Sequence, residues 1–336
     1  MSAASVAVVM PSHNHGAFIT AALESVFRQT RPPEEVHVID DGSTDDSVAA
    51  IERAFANAGP VRCFLTVREN RGMAATCNEL CAGVATDFVA FLDADDLYAP
   101  TRLERLLAPA PPGGPYFAFS GVEFLIEQNV DETLADWQEE YRLRLGQGMS
   151  FPTAGFALLR SNIAITNGNF VMSRGLFDVV GGFDDRLRIC LDWDFALRSL
   201  RFVEPTFIPE PLLTYRRHGR NISRDLDQAA RDRELLVETL CGWLPGPTMN
   251  PLAPTPNNWP HYFRVFASLN TNGAGRSLMA RLPQSAFAAP TTEVATAKET
   301  IAMRALMAAA RAPEATQALS LNDLLHRCHL AWSGRS

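Results

Sequence analysis

The chain has 336 residues, 47% of them apolar, and a formal net charge of -8, enough to bury a sizeable core in one large or two closely joined domains. The acidic balance argues against a general nucleic-acid binder, whose footprint is a basic excess, and no stretch approaches the roughly 18 uninterrupted apolar residues of a membrane span. MSAAS runs directly into a strand pattern without a basic region, an apolar core or a cleavage site, so a cytoplasmic location is expected.

Val6 to Met10 is a β-branched apolar run ended by Pro11, followed by the polar turn SHNHG and an amphipathic pattern from Phe18 to Phe27. The spacing predicts strand, loop, helix. The same unit returns at HVID, DGSTDDS and VAAIERAF, and again from Val61 through ENRG to MAATCNELCAGV. Strand starts near 6, 36, 61 and 88 recur at the spacing of βαβ units, roughly 30 residues each. They predict an α/β, Rossmann-like, mainly parallel sheet flanked by helices. Ligands of such sheets bind beyond the carboxyl ends of the strands, which here carry Ser12 to Asn14, Asp40 and Asp41, Glu69 to Arg71, and Asp93 with Asp95. Read locally, Ser43, Thr44 or Asp45 caps the next helix, His13 and His15 are exposed loop residues, and Asn70 and Gly72 form a tight turn. The six cysteines, Cys77 and Cys81 among them, include no CxxC pair and read as small core residues.

The fourth strand, FVAFL, delivers Asp93, Asp95 and Asp96 to one point. Carboxylates so close repel one another beside a hydrophobic core unless something positive comes to them, and a divalent cation serves that purpose. No GxGxxG follows the first strand and no GxxxxGK[ST] occurs, so a nucleotide must be held without either phosphate loop.

PAPPGGP at Pro109 to Pro115 is a break, followed by a strand-like YFAFSGVEFLI and an acidic amphipathic segment from Glu132 to Leu145. FVMS is a strand candidate, LFDVV a short helix and GGFD a turn. Trp193, Leu197 and Leu200 make an apolar face that starts just after Asp192, which read locally is an N-cap. TYRRHGRNISRD is a dense basic loop in which His218 reads as a lone exposed histidine. Beyond Asp225, an amphipathic helix is expected over Asp227 to Leu240, a proline-rich connection over Leu244 to Pro260, and helical stripes over Ala295 to Arg311 and Ser320 to Leu330.

PSHNHGAFITAALESVFRQT, VIDDGSTDDS, ENRGMAATCNEL and FVAFLDADDLYAPTRLERLL together resemble the nucleotide-sugar half of family 2 glycosyltransferases with the GT-A fold. The resemblance covers about the first 107 residues and continues more loosely to about residue 224. It implies that Pro11, Ser12, Asn14 and Asp41 line the nucleoside pocket, with Asp41 at the base, Arg71 near the base or phosphates and Asp93 at the ribose. It further implies Asp95 and His218 as ligands of Mn2+ or Mg2+, and Asp192 as the general base. His13 stands where the family commonly has an aromatic residue, Cys77 where it often has an arginine, and Leu191 where it often has a second acid.

The expected division is a nucleotide-sugar-binding half over residues 1–110, an acceptor-binding half of the same domain over 111–224 and a mainly helical region over 225–336. The expected activity is inverting transfer from a nucleotide diphosphate sugar, UDP-linked in many members, to a glycan, lipid-linked or protein hydroxyl. Peripheral association with the inner face of the membrane is weakly allowed by Arg276 and Arg281. The alternatives are a sugar-phosphate nucleotidyltransferase, whose glycine-rich loop with a lysine is missing since Lys298 is the single lysine, and a non-catalytic sugar-nucleotide-binding module.

Overall fold

A computed structural model describes residues 4–127, 134–221 and 225–269, together with 281, 282, 299 and 302. The helices expected over Ala295 to Arg311 and Ser320 to Leu330 lie outside these residues apart from Glu299 and Ala302, and Arg276 lies outside them too. The chain forms two compact units, one of Met1–Gln138, Ala164–Phe195 and Pro205–Ala229, the other of Glu139–Ile163, Ala196–Glu204 and Ala230–Ser336. They interleave along the chain, whereas the sequence reading divides it linearly.

The first unit carries an 8-stranded sheet in the order β3-β2-β1-β4-β7-β6-β8-β5. Its strands are β1 (Val6–Ser12), β2 (Glu35–Asp41), β3 (Arg62–Arg68), β4 (Phe88–Phe91), β5 (Leu97–Tyr98), β6 (Phe117–Ile126), β7 (Val171–Ser173) and β8 (Thr206–Arg217). The helices between them are α1 (Ile19–Phe27), α2 (Ser47–Phe55), α3 (Met73–Gly83) and α4 (Arg102–Leu107). β1 and β4 are buried along their whole lengths, as continuous apolar runs in a sheet covered on both faces should be. β3, at the sheet edge, alternates between exposed and half-buried positions and is bounded by Arg62 and Arg68, charges that blunt an edge.

The four strands read from the βαβ spacing pair in parallel, β3 with β2, β2 with β1 and β1 with β4. The remainder is mixed: β7 runs antiparallel to both β4 and β6, and β6 pairs in parallel with β8. The chain lays β2 and β3 on one side of β1 and then β4 on the other. The carboxyl ends of β1 and β4 therefore border the crevice where strand order reverses, the place at which open α/β sheets bind ligands.

Beyond β6 the chain forms α5 (Leu134–Gly148), α6 (Ala154–Arg160), α7 (Arg174–Val180), α8 (Leu191–Ser199), α9 (Leu226–Trp243) and α10 (Pro260–Leu269). The second unit has its own aromatic core, in which Phe156 meets Trp259, Tyr262 and Phe266 with ring centroids 5.4, 4.9 and 5.0 Å apart. Proline at the first position of α10 suits a helix start, where its missing N–H is no loss; α6 and α10 were not anticipated from the sequence.

Candidate active site

The loops that follow β1, β2 and β3 are tied together by polar side chains. Asn14, at φ 58°, donates its backbone N–H to Ser43 Oγ at 2.8 Å and accepts from Thr44 N–H at Oδ1, also 2.8 Å. Asn14 tolerates the left-handed conformation better than most residues, and its side chain is spent on holding loop one to loop two. Asp41 does the same between loops two and three. Its carboxylate accepts from Arg71 N–H at 2.9 Å and Gly72 N–H at 2.8 Å, and pairs with Arg68 at 2.6 Å. Arg68 also donates to Thr76 Oγ1 at 2.8 Å. The sequence reading did not single out Arg68; a charged residue closing a strand pattern was its only signal.

These loops wall a cleft of about 520 Å³, a size suited to a small-molecule ligand, lined among others by Pro11, Ser12, His13, Asp41 and Arg71. Ser12 is buried and its Oγ has no hydrogen-bond partner among the described residues, which leaves a hydroxyl for a ligand. The opposite wall comes from Asp185, Leu187, Arg188 and Ile189 of the loop before α8, with Asp225 and Gln228. That wall was not foreseen, because no pattern in the sequence says which later loop returns over the sheet end.

Asp93, Asn14, Asp95, Asp192 and His218 are not among the residues lining this cleft. Asp93 is held by the 3-10 turn Asn167–Asn169. Thr166 Oγ1 donates to Asp93, Asn167 Nδ2 donates to it at 3.1 Å, and a Cβ on Gly168 would lie 2.9 Å from both its backbone N and its Oδ2. Burial, with the neighbouring Asp95 charge, pushes the Asp93 carboxyl up to about 6 against the pull of these hydrogen bonds. Asp96 faces inward. It accepts from Arg216 N–H at 2.9 Å, and burial followed by the charges of Asp95 and Asp93 raises its pKa well above the ordinary range.

Asp95 meets two imidazoles. His218 Nε2 lies 2.9 Å from its Oδ2 and His15 Nε2 lies 3.9 Å from the same oxygen. One ligand atom from each of the three residues falls within 4.8 Å of the others. Burial acts to raise the Asp95 carboxyl, but the His218 hydrogen bond and the charges of His15 and His218 prevail and hold it below its usual value. Burial is also the main cause that lowers His15, keeping a nitrogen lone pair available. Phe18 stacks on the His218 ring at 4.8 Å and 22°.

Two imidazoles and a carboxylate suit a divalent cation, with a preference for manganese over magnesium. The 2.9 Å separation matches the roughly 3.0 Å expected between adjacent ligands at bonds of about 2.1 Å. His218 Nδ1 accepts from Arg220 N–H at 3.1 Å, which puts the proton of the neutral ring on Nε2. A cation at Nε2 takes the place of that proton, so the Arg220 N–H has to release Nδ1. His15 Nδ1 likewise accepts from His13 N–H at 3.4 Å, and the residues fit a cation once both rings are released in this way.

Asp192 lies in the first turn of α8, buried, with Oδ1 accepting from Trp193 N–H at 2.7 Å. The helix begins two residues earlier than the sequence reading placed it, at Leu191, since Asp194 N–H already bonds Cys190 C=O at 2.9 Å; Asp192 is therefore a first-turn residue and not an N-cap. The turn that precedes it is clamped to α3. Asn78 Nδ2 donates to Phe183 C=O at 2.9 Å and its Oδ1 accepts from Phe183 N–H at 2.8 Å. Gly182 sits at φ 72°, and a Cβ there would come within 2.7 Å of Asn78 Oδ1. Cys77, beside Asn78, is fully buried and contributes packing to α3.

The switch-point cleft and the acidic and imidazole cluster share His15. Over 98% of this chain and 87% of the other, the protein aligns with S. aureus TarS 1-349 in complex with UDP at a TM-score of 0.56 and 16% identity. A mannosyltransferase of Pyrobaculum calidifontis, in complex with GDP-Man and Mn2+, aligns over 99% of this chain and 88% of its own at a TM-score of 0.55 and 18% identity. The family model "Glycosyl transferase family 2" matches residues 7–168 of the chain. Two uncharacterized glycosyltransferases are among its relatives. One, of Nostoc sp., is 32% identical over 102 residues, 30% of this chain and 31% of that protein. The other, of Haemophilus influenzae, is 27% identical over 253 residues, 70% of this chain and 78% of that protein. The chain thus spans less than a third of the length of the first relative.

Proposed function

We propose that this protein transfers a sugar from a nucleoside diphosphate sugar, UDP-linked, to a hydroxyl of a glycan, lipid-linked or protein acceptor, with inversion and with metal dependence. The observation that carries the reading is the shared position of His15, which borders the 520 Å³ cleft and belongs to the Asp95 and His218 cluster. A nucleoside in that cleft directs its diphosphate toward the cluster. The UDP, and the GDP-Man with Mn2+, bound by the two transferases of like fold support a donor of this class.

Pro11, Ser12, Asp41 and Arg71 are assigned to the nucleoside and phosphates. Asp41 orders the backbone of Arg71 and Gly72 and so shapes the pocket, while Asn14 fixes the loop that carries Ser12. Asp93 is assigned to the ribose side, through the turn it anchors. Asp95 and His218 would hold Mn2+ or Mg2+, which when bound stabilises the charge that grows on the departing diphosphate. Asp192 takes the proton of the acceptor hydroxyl. The acceptor oxygen forms its bond to the anomeric carbon as the bond to the diphosphate breaks, the electron pair leaving with the diphosphate. One base and one such leaving group require attack from the opposite face, which inverts the centre.

Among the described residues no helix is long and apolar enough to cross a membrane; we place the protein in the cytoplasm, at the inner membrane face where the acceptor is lipid-linked. The test is transfer from UDP-sugars with Mn2+, with the product anomer assigned by NMR. Asp192→Asn is expected to keep donor binding and lose about 10²-fold or more in turnover. Retained configuration, or near-normal turnover of the variant, would remove the single-base mechanism.

A further inference from the structure

Sequence patterns give His15 no task; the structure places it beside Asp95. Its backbone is fixed from two sides. His15 N–H donates to Ser47 Oγ at 2.9 Å, and its C=O accepts from Phe18 N–H and Ile19 N–H at 2.9 Å each. The second contact starts α1. The ring therefore leaves a pinned loop, with its side chain 23% exposed and its Nε2 directed at Asp95 Oδ2. His218 approaches the same oxygen from the end of β8, and the two rings meet edge to face at 6.4 Å and 71°. Phe18, three residues after His15, covers the far face of His218. Two imidazoles converge on one carboxylate oxygen from separate elements, each backed by packing.

We infer that His15 is a third protein ligand of the cation held by Asp95 and His218, and that the resulting set of two imidazoles and one carboxylate retains Mn2+ without any nucleotide. The inference rests on the metal-dependent reading above and goes beyond it. With Asp95 and His218 alone the diphosphate must supply much of the coordination, so cation and donor arrive together. With three protein ligands the cation is resident, and imidazole favours manganese over magnesium. Each ring has to shift its proton from Nε2 to Nδ1, since ligating histidine is neutral, and Arg220 N–H and His13 N–H release the two Nδ1 atoms as it does so.

The experiment measures Mn2+ binding to the full-length protein by electron paramagnetic resonance, without nucleotide and then with UDP. In parallel, spin-echo modulation is recorded on wild-type protein labelled with 15N at histidine. Two imidazole couplings are expected in the wild type. His15→Ala should weaken nucleotide-free Mn2+ binding at least about tenfold, the lower end of what even an outer partner of a metal site contributes, with UDP restoring part of the affinity. The spectroscopic count uses wild-type protein and stands even if the variant misfolds. A single coupling, lost in His218→Ala, would overturn the role of His15 and leave the metal-dependent reading standing. Absence of Mn2+ binding even with UDP, with transfer persisting in chelator, would instead defeat that reading.

Discussion

Asp41 illustrates how a residue of a binding pocket can be as much a structural post as a contact. Its side chain is 6% exposed and already satisfies two backbone N–H groups and the Arg68 guanidinium. Truncating one partner of a buried charged pair leaves the other uncompensated, which costs about 3–5 kcal/mol. Asp41→Ala is therefore expected to lower unfolding stability by that order, read as a fall in the urea midpoint. An unchanged midpoint with weakened UDP binding would assign Asp41 a contact role alone. At this scale the sequence was informative about which carboxylates stand at strand ends and silent about the hydrogen bonds that hold them. Asp41 and Asp95 stand at strand ends in a periodic pattern, so they were legible. Arg68 and Thr166 act through geometry that only the folded chain creates.

Among the elements, α3 couples the donor side to the turn that leads into α8. Asn78→Ala removes both hydrogen bonds to Phe183. The loss is expected to cost about 1–3 kcal/mol in unfolding free energy, and turnover should fall more than UDP affinity, because the GGFD turn precedes Asp192 while the nucleoside loops are tied elsewhere. Equal losses in both quantities, from titration and steady-state kinetics, would refute that separation. The first four strands were readable because parallel βαβ units repeat apolar runs and polar turns at fixed spacing. β7 and β8 were harder. β7 has three residues, and β8 contains Pro209 and Pro211 with a register irregularity opposite Gly121, so neither shows a clean period. His15 was passed over because a histidine in a polar loop has no periodicity to distinguish ligand from bystander.

At the scale of the whole molecule, the second unit carries its own titrating group. Glu204 accepts from Gly155 N–H at 2.8 Å at the start of α6, and burial pushes its carboxyl up to about 7 in spite of that bond. A carboxyl raised in the folded state contributes stability below its unfolded value, and that contribution is lost as pH rises through the folded one. Glu204→Gln, which mimics the protonated acid, is expected to melt close to wild type at pH 5 and above it at pH 8. Equal gaps at both pH values in thermal melts would show that Glu204 does not titrate in this window. The clamp between Asn78 and Phe183 joins residues 105 apart in the chain. Contacts of such separation must overcome loop-closure entropy before they return any stability. Under the proposed function, a chain in which this clamp stays open is expected to keep sugar-nucleotide affinity and lose turnover, since Asn78 fixes the turn before Asp192 while Asn14 and Asp41 tie the loops of the cleft independently.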